Sequence, residues 1–159
     1  MSSGTQARPK TLIVTGASQG IGAGVTKAFV ERGYNVVANS LNITKSEFKP
    51  AKRLALVEGN IGEASTAEKI AATAMSQFGS IDGVVNNAGI YFSKPFTDYT
   101  LGDFERLSET NLKGYIHITQ LAVKQMLAQK TGGSVTCITS VMVEHPIAGV
   151  NASIPMVTT

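Results

Sequence analysis

Short, nearly unbroken apolar runs alternate along this chain with longer stretches of helical period, the pattern of β-α-β units and a parallel sheet. Thr11-Leu12-Ile13-Val14-Thr15 predicts a first strand whose apolar continuity suits burial on both faces. A helix is expected from about Gly20 to Arg32, with Ile21, Val25, Ala28 and Phe29 on one stripe and Gly33 as its stop. Tyr34 to Asn39 predicts a second strand, and Arg53 to Val57 a third. The intervening Ser40 to Lys52 has little periodicity and room for only a short helix. Ser65 followed three residues later by Glu68 resembles a capping box, opening a helix that runs to Phe78 and stops at Gly79.

Gly83 to Asn86 predicts a fourth strand, and a loop containing Pro95 leads into one long helix, Leu101 to Gln129. Gly132-Gly133 closes that helix, and Ser134 to Thr139 makes a fifth strand. Residues 141–159 carry Pro146, Gly149 and Pro155, and are expected to be irregular and possibly disordered, as residues 1–9 are expected to form a flexible tail. No repeat, low-complexity tract or linker divides the chain. The expectation is one α/β domain over residues 1–159, built on an open, doubly wound parallel sheet in the order 3-2-1-4-5.

Candidate chemistry concentrates where the first strand meets its helix, in Thr15-Gly16-Ala17-Ser18-Gln19-Gly20-Ile21-Gly22. Glycines there permit a tight turn and let the backbone approach a pyrophosphate closely. The N-terminus of the following helix directs free N–H groups at the same place. A glycine-rich turn also forms for steric reasons alone, but strand-turn-helix is the context in which the pattern signals a nucleotide. Asn86-Asn87-Ala88-Gly89 stands at the end of the fourth strand, where small residues and amides can brace neighbouring strands and line a groove.

The spacing T-G-x-x-x-G-x-G, together with N-N-A-G, resembles the short-chain dehydrogenase/reductase family, and the likeness runs from about Lys10 onward. It implies a Rossmann-like fold and an NAD(P)-dependent oxidoreductase acting on an alcohol or ketone. By that resemblance Gly16, Ser18, Gln19, Gly20, Ile21 and Gly22 cradle the pyrophosphate. Asn39 and Ser40 face the adenosine ribose, Asn60 and Ile61 the adenine, and Asn87, Ala88 and Gly89 the nicotinamide ribose. Asn111 stands where the family keeps an asparagine that holds a water in a proton relay. Ser140 stands where a serine hydrogen-bonds the substrate carbonyl. Outside the motif, the competing readings of these two are a polar helix residue and a helix or turn cap.

The second strand ends without the acid that NAD binders place against the ribose hydroxyls. That favours NADP(H) over NAD(H). However, the arginine that often follows in NADP-using members is absent, and Gln19 replaces a base frequent in their glycine loop. Asn60 stands where the family has aspartate.

The pattern breaks towards the end. The family's Tyr-x-x-x-Lys supplies the proton that accompanies hydride transfer, yet no tyrosine follows Tyr115 and no lysine follows Lys130. Either Met156 or Ser153 falls at the tyrosine position, depending on alignment. A thioether donates no proton, and an unactivated hydroxyl is a poor acid. This chain alone is therefore expected to be inactive. The alternatives are a non-catalytic nucleotide-binding homologue or a structural fragment, truncated before strands 6 and 7. The apolar face of the long helix and one sheet edge should then be exposed. That suits a homo-oligomer, dimer or tetramer, or a completing chain.

Composition adds exclusions. A net charge of +3 without Lys/Arg runs offers no nucleic-acid face, and no apolar stretch nears the roughly 20 residues of a membrane span. One cysteine, Cys137, excludes an intrachain disulfide and fits the cytoplasm; its apolar strand predicts a buried thiol. His117 and His145 lack metal-ligand spacing, so no metal is expected. Glu144 and His145 either touch substrate or belong to a solvated loop. Tyr91 and Phe92 either roof the nicotinamide end or simply pack.

Overall fold

The computed structural model describes residues 8–140. Five parallel strands form one sheet: β1 (Thr11–Val14), β2 (Asn35–Ser40), β3 (Leu54–Glu58), β4 (Gly83–Asn86) and β5 (Ser134–Cys137). Their order is β3-β2-β1-β4-β5, as the alternation of apolar runs and helical segments predicts. The helices are α1 (Gly20–Glu31), α2 (Ala64–Phe78), α3 (Leu101–Ser108) and α4 (Gly114–Gln129).

Two apolar layers sandwich the sheet because successive strand residues face opposite ways. Leu12 and Val14 of β1 join Val36, Ala38 and Val85 beneath Val25 and Phe29 of α1. Ile13, Val37 and Val84 turn to the other face, where Ile70 and Ala74 of α2 and Ile118 and Ala122 of α4 cover them. Ile13, Val37, Ile70 and Ile118 are fully buried.

Several local expectations change. The Ser65–Glu68 capping box does not form: α2 starts at Ala64 with Glu63 in the cap position and no side-chain cap. The preceding turn sets that start, since Asn60 Oδ1 accepts from Gly62 N–H (3.0 Å) and Asn60 C=O from Glu63 N–H (3.0 Å). A capping box forms instead at α3, where Thr100 and Asp103 satisfy one another's backbone N–H groups. The single helix expected over 101–129 is interrupted by a π-helical turn at Glu109–Lys113. Gly62 and Gly114 account for its placement: a Cβ on Gly62 would lie 2.8 Å from Glu109 C=O, and one on Gly114 2.8 Å from Ile61 Cγ2. The widened turn is thereby pressed against the β3–α2 loop.

Cys137 is exposed rather than buried. All four residues of β5 are exposed, because among the described residues β5 is the outermost strand and pairs with β4 alone. Along the π turn and α4, Leu112, Ile116, Val123 and Leu127 also expose apolar surface. Glu144, His145, Ser153 and Met156, like most of the two expected irregular ends, lie outside the described residues.

Arg8, near the end of the expected tail, is anchored. Its guanidinium bonds both oxygens of Asp82 (2.7 and 2.8 Å) and also reaches Ser80 Oγ. Thr11 N–H (2.8 Å) and Ser80 Oγ–H (2.8 Å) donate to the same carboxylate. Partial burial pushes the Asp82 carboxyl up, but these donors outweigh it and hold its pKa at about 2. A pKa below the unfolded value gives stability that is present above about pH 4 and lost as pH falls towards 2. Asp82→Asn should therefore cost about 1–2 kcal/mol at neutral pH, after allowing for solvent at the half-exposed Arg8. In urea titrations the gap to wild type should narrow between about pH 4 and pH 2.

Candidate functional site

The C-terminal ends of the strands open onto a cleft, the place where doubly wound sheets bind ligands. Two lobes of about 400 and 360 Å³ share Ile61, Asn87, Ala88, Gly89, Ile90 and Thr110, so they form one continuous groove.

The larger lobe lies over the β1–α1 turn and brings together Gly16, Ser18, Gln19, Gly20, Ile21, Asn39, Ser40, Asn60 and Ile61. The glycines of this turn have separable reasons. Gly16 has φ +63°, and a Cβ there would stand 2.8 Å from Ala88 Cα. Gly22 closes on the same turn, where a Cβ would fall inside contact of Gly16 C=O and 2.5 Å from Asn87 Nδ2. Both are therefore required by how the turn packs on the end of β4. Gly20 differs: its φ is +56°, yet nothing lies within 4 Å of a Cβ placed on it. It faces open cleft.

At the same place α1 begins without a side-chain cap, because Gln19 in the cap position makes no such bond. The first N–H groups of a helix have no intrahelical partner, and they carry the positive end of its dipole. No acidic side chain lines this lobe among the described residues. Backbone donors, a bare Gly20 and the absence of competing carboxylates fit a diphosphate.

Thr15 ties the turn to the end of β4. Its Oγ1 accepts from Asn87 N–H (3.1 Å) and Ala88 N–H (3.0 Å). Asn87 Nδ2 returns to Thr15 C=O (3.0 Å) and Gly16 C=O (3.1 Å). Asn86 Nδ2 donates to Thr119 Oγ1 (2.9 Å) on α4. The side chains of Asn86 and Asn87 thus brace the groove, and the wall of the groove is their backbone with Ala88 and Gly89. Thr15 has no place in the sequence-based site set, although its position directly before Gly16 is the available signal.

Asn39 is also a brace. It is buried (1% exposed), and its Nδ2 donates to Val57 C=O (2.9 Å) and Gly59 C=O (3.2 Å), holding the end of β3. Ser40 stays at the rim, where its Oγ–H donates to Ser18 Oγ (2.9 Å). Asn60 holds its own turn, as described above, and Ile61 is 5% exposed.

The smaller lobe holds Asn111 and Ser140, with Tyr91, one of the two aromatics offered for the nicotinamide end, and with Tyr115 and Cys137, which the sequence-based set lacks. Asn111 sits in the π turn. Its Oδ1 accepts from Ile90 N–H (2.9 Å) and its Nδ2 donates to Ile90 C=O (3.1 Å), fixing the loop after β4. Although Cys137 is exposed, the protein around its sulfur partly desolvates the thiol and pushes its pKa up. No group of three His, Cys, Asp or Glu side chains suited to a metal ion occurs among the described residues.

Known proteins share both sequence and architecture. The profile of the short chain dehydrogenase family matches residues 10–152. The chain is 32% identical over 140 residues to L-rhamnose 1-dehydrogenase (NAD(P)(+)) of Sphingomonas sp. (strain SKA58), covering 83% of this chain and 55% of that protein. It is 33% identical over 131 residues to the 3-oxoacyl-acyl-carrier-protein reductase FabG of Staphylococcus aureus, covering 77% and 53%. The structure of Thermoplasma acidophilum aldohexose dehydrogenase superimposes with a TM-score of 0.81 at 28% identity, over 95% of this chain and 56% of that one. A glucose/ribitol dehydrogenase-type protein of Brucella melitensis gives 0.82 at 28%, over 95% and 64%. This chain therefore spans about half the length of the curated relatives it matches. Glycine turn, braced Asn-Asn-Ala-Gly and matched profile agree: the chain belongs to the short-chain dehydrogenase family.

Proposed function

We propose that this chain is the nucleotide-binding part, in one domain, of an NAD(P)-dependent oxidoreductase acting on a hydroxyl/carbonyl pair, with NADP(H) preferred. The observation that carries this reading is the uncapped start of α1 beside Gly20, opening on a lobe that no carboxylate lines among the described residues. Gly16 to Gly22 receive the diphosphate on backbone N–H groups. Ser18 and Ser40 face the adenosine ribose, where two neutral hydroxyls tolerate a 2′-phosphate that a carboxylate repels. Gln19 and Ile21 flank the diphosphate, Asn39 supports the ribose side from beneath, and Asn60 with Ile61 borders the adenine. Asn87, Ala88 and Gly89 form the nicotinamide wall.

When bound, the coenzyme supplies the hydride donor or acceptor. Ser140 orients the substrate oxygen at the end of β5, and Asn111, besides fixing Ile90, positions a water beside it. The Sphingomonas relative, an L-rhamnose dehydrogenase named for NAD(P)+, supports the coenzyme class. The exposed stripe of Leu112, Ile116, Val123 and Leu127 supports assembly with a second copy or a completing chain. Reducing conditions suit the free thiol, so the cytoplasm is the proposed location.

Titrating NADPH and NADH while following nicotinamide fluorescence tests this reading. NADPH should bind at micromolar concentration and NADH more weakly. Binding of neither by folded chain overturns the proposal.

A second reading, a nucleotide-binding homologue without catalysis, is favoured by the two candidate tyrosine positions, Ser153 and Met156, neither of which holds a tyrosine. A ketone panel assayed with wild-type protein and Met156→Tyr separates the two, because wild-type turnover excludes it.

A further inference from the structure

One hydrogen bond sets the π turn apart from the helix on either side of it. Gly114 N–H donates to Glu109 C=O, reaching one residue further back than an α-helical bond would. Consecutive residues of the β3–α2 loop touch both ends of that bond. A Cβ on Gly62 would stand 2.8 Å from the Glu109 carbonyl oxygen, and Ile61 Cγ2 sits 2.8 Å from where a Cβ on Gly114 would lie. Neither glycine has a positive φ, so close approach alone calls for glycine at both. The loop is itself firm: Asn60 Oδ1 accepts from Gly62 N–H (3.0 Å), and Ile61 belongs to the apolar layer that α2 and α4 cover.

The two gripped ends enclose Thr110 to Lys113. Asn111 borders the smaller lobe of the cleft, whereas Ile61 borders both lobes. One side chain therefore lies at the wall of the larger lobe and also seats the turn that presents Asn111 to the smaller one. The seat rests on the branch methyl at Cβ, which a β-branched side chain holds close to its own backbone. Without that seat, Glu109 C=O is free to accept from Lys113 N–H in an ordinary α-helical turn, which would rotate Asn111. An element with two arrangements, touched from both lobes, is what a physical coupling needs.

We infer that Ile61 is a positioning residue: seated on Gly114 through Cγ2, it holds the π turn open, sets Asn111, and transmits occupancy of the adenine side of the cleft to the far side. A base lying on Ile61 favours the seated side chain, and so selects the wide turn. The inference rests on the nucleotide-binding reading above and adds a regulation of the same cleft.

Amide NMR of the full chain with adenosine 2′,5′-bisphosphate, which carries no nicotinamide, tests it. In wild type the Gly20 and Gly22 amides should report binding. The Asn111 Nδ2 protons should shift on the same saturation curve and exchange with water about tenfold more slowly. Ile61→Val keeps Cγ2 and should preserve this response. Ile61→Leu keeps the volume but moves the branch off Cβ. It should abolish the response and speed Asn111 exchange about tenfold in the free protein, with the nucleotide still bound at the glycine turn. Core packing alone would favour leucine over valine, the opposite order. Gly114→Ala, whose methyl displaces Ile61 Cγ2, should give the leucine result and replaces that variant if it does not fold. An Asn111 amide that stays still while the glycine turn saturates overturns the inference, as does an equal response in Ile61→Leu. If the glycine turn is silent too, the nucleotide reading fails separately. Asn111 exchange in the free valine and leucine variants then decides the role of Ile61, and equal rates overturn it.

Discussion

Gly22→Ala is expected to destabilise the protein by about 3–5 kcal/mol, lowering its melting temperature by roughly 10 °C or more, and to abolish coenzyme binding in what remains folded. The added methyl would overlap Gly16 C=O and stand 2.5 Å from Asn87 Nδ2. These are not flexible tips. One is backbone held in a turn at φ +63°, and the other is an amide already committed to Thr15 and Gly16 C=O. Relief requires α1 to move off the sheet or Asn87 to lose its bonds, and either course displaces the helix start from the cleft. Gly24→Ala is the matched control. Gly24 is an exposed position of the same helix with nothing within 4 Å of a Cβ, so alanine there should stabilise by about 0.5–1 kcal/mol through helix propensity. Thermal melts of the two variants should shift in opposite directions.

Ser40→Asp should reverse coenzyme preference. The position ends β2 at the rim of the cleft, where its hydroxyl donates to Ser18 Oγ. A carboxylate there can accept from ribose hydroxyls but faces a 2′-phosphate charge to charge. At an effective dielectric typical of surfaces, like charges about 4–5 Å apart cost about 3 kcal/mol, or roughly a hundredfold in affinity. NADPH binding should fall by that order, while NADH holds or improves severalfold. Stability should change little, since Ser40 is only part-buried. Parallel calorimetric titrations of both coenzymes decide it, and an NADPH affinity unmoved by the substitution would place the ribose elsewhere.

The strand order and both apolar layers were legible because each strand is a short apolar run bounded by a turn or a helical segment. The β1–α1 turn was legible for a related reason: positive φ at Gly16 and Gly20 and close approach at Gly22 leave few alternatives to glycine. What escaped depends on partners distant in the chain. The π turn at Glu109–Lys113 scarcely disturbs the apolar period, and its placement goes with close approaches between distant segments, Gly62 to Glu109 C=O and Gly114 to Ile61. Asn39 reads as a ribose ligand by position, but its amide is needed to hold Val57 and Gly59 carbonyls at the end of β3. Cys137 reads as buried from its apolar neighbours, yet burial of an outermost strand depends on what lies beyond it. Tyr115 reaches the cleft through chain geometry that no short motif encodes, whereas Thr15 opens the glycine motif and Tyr91 closely follows Asn-Asn-Ala-Gly.

Everything proposed for the cleft depends on backbone amides at the start of α1 receiving a diphosphate. Backbone amide NMR of the folded chain, titrated with NADP+, reads those groups one by one. The account predicts saturable shifts centred on Ser18 to Gly22, with Gly24 and the distant Arg8–Asp82 anchor unmoved. Dispersed, well-folded spectra in which those amides stay still while coenzyme reaches millimolar concentration would contradict it.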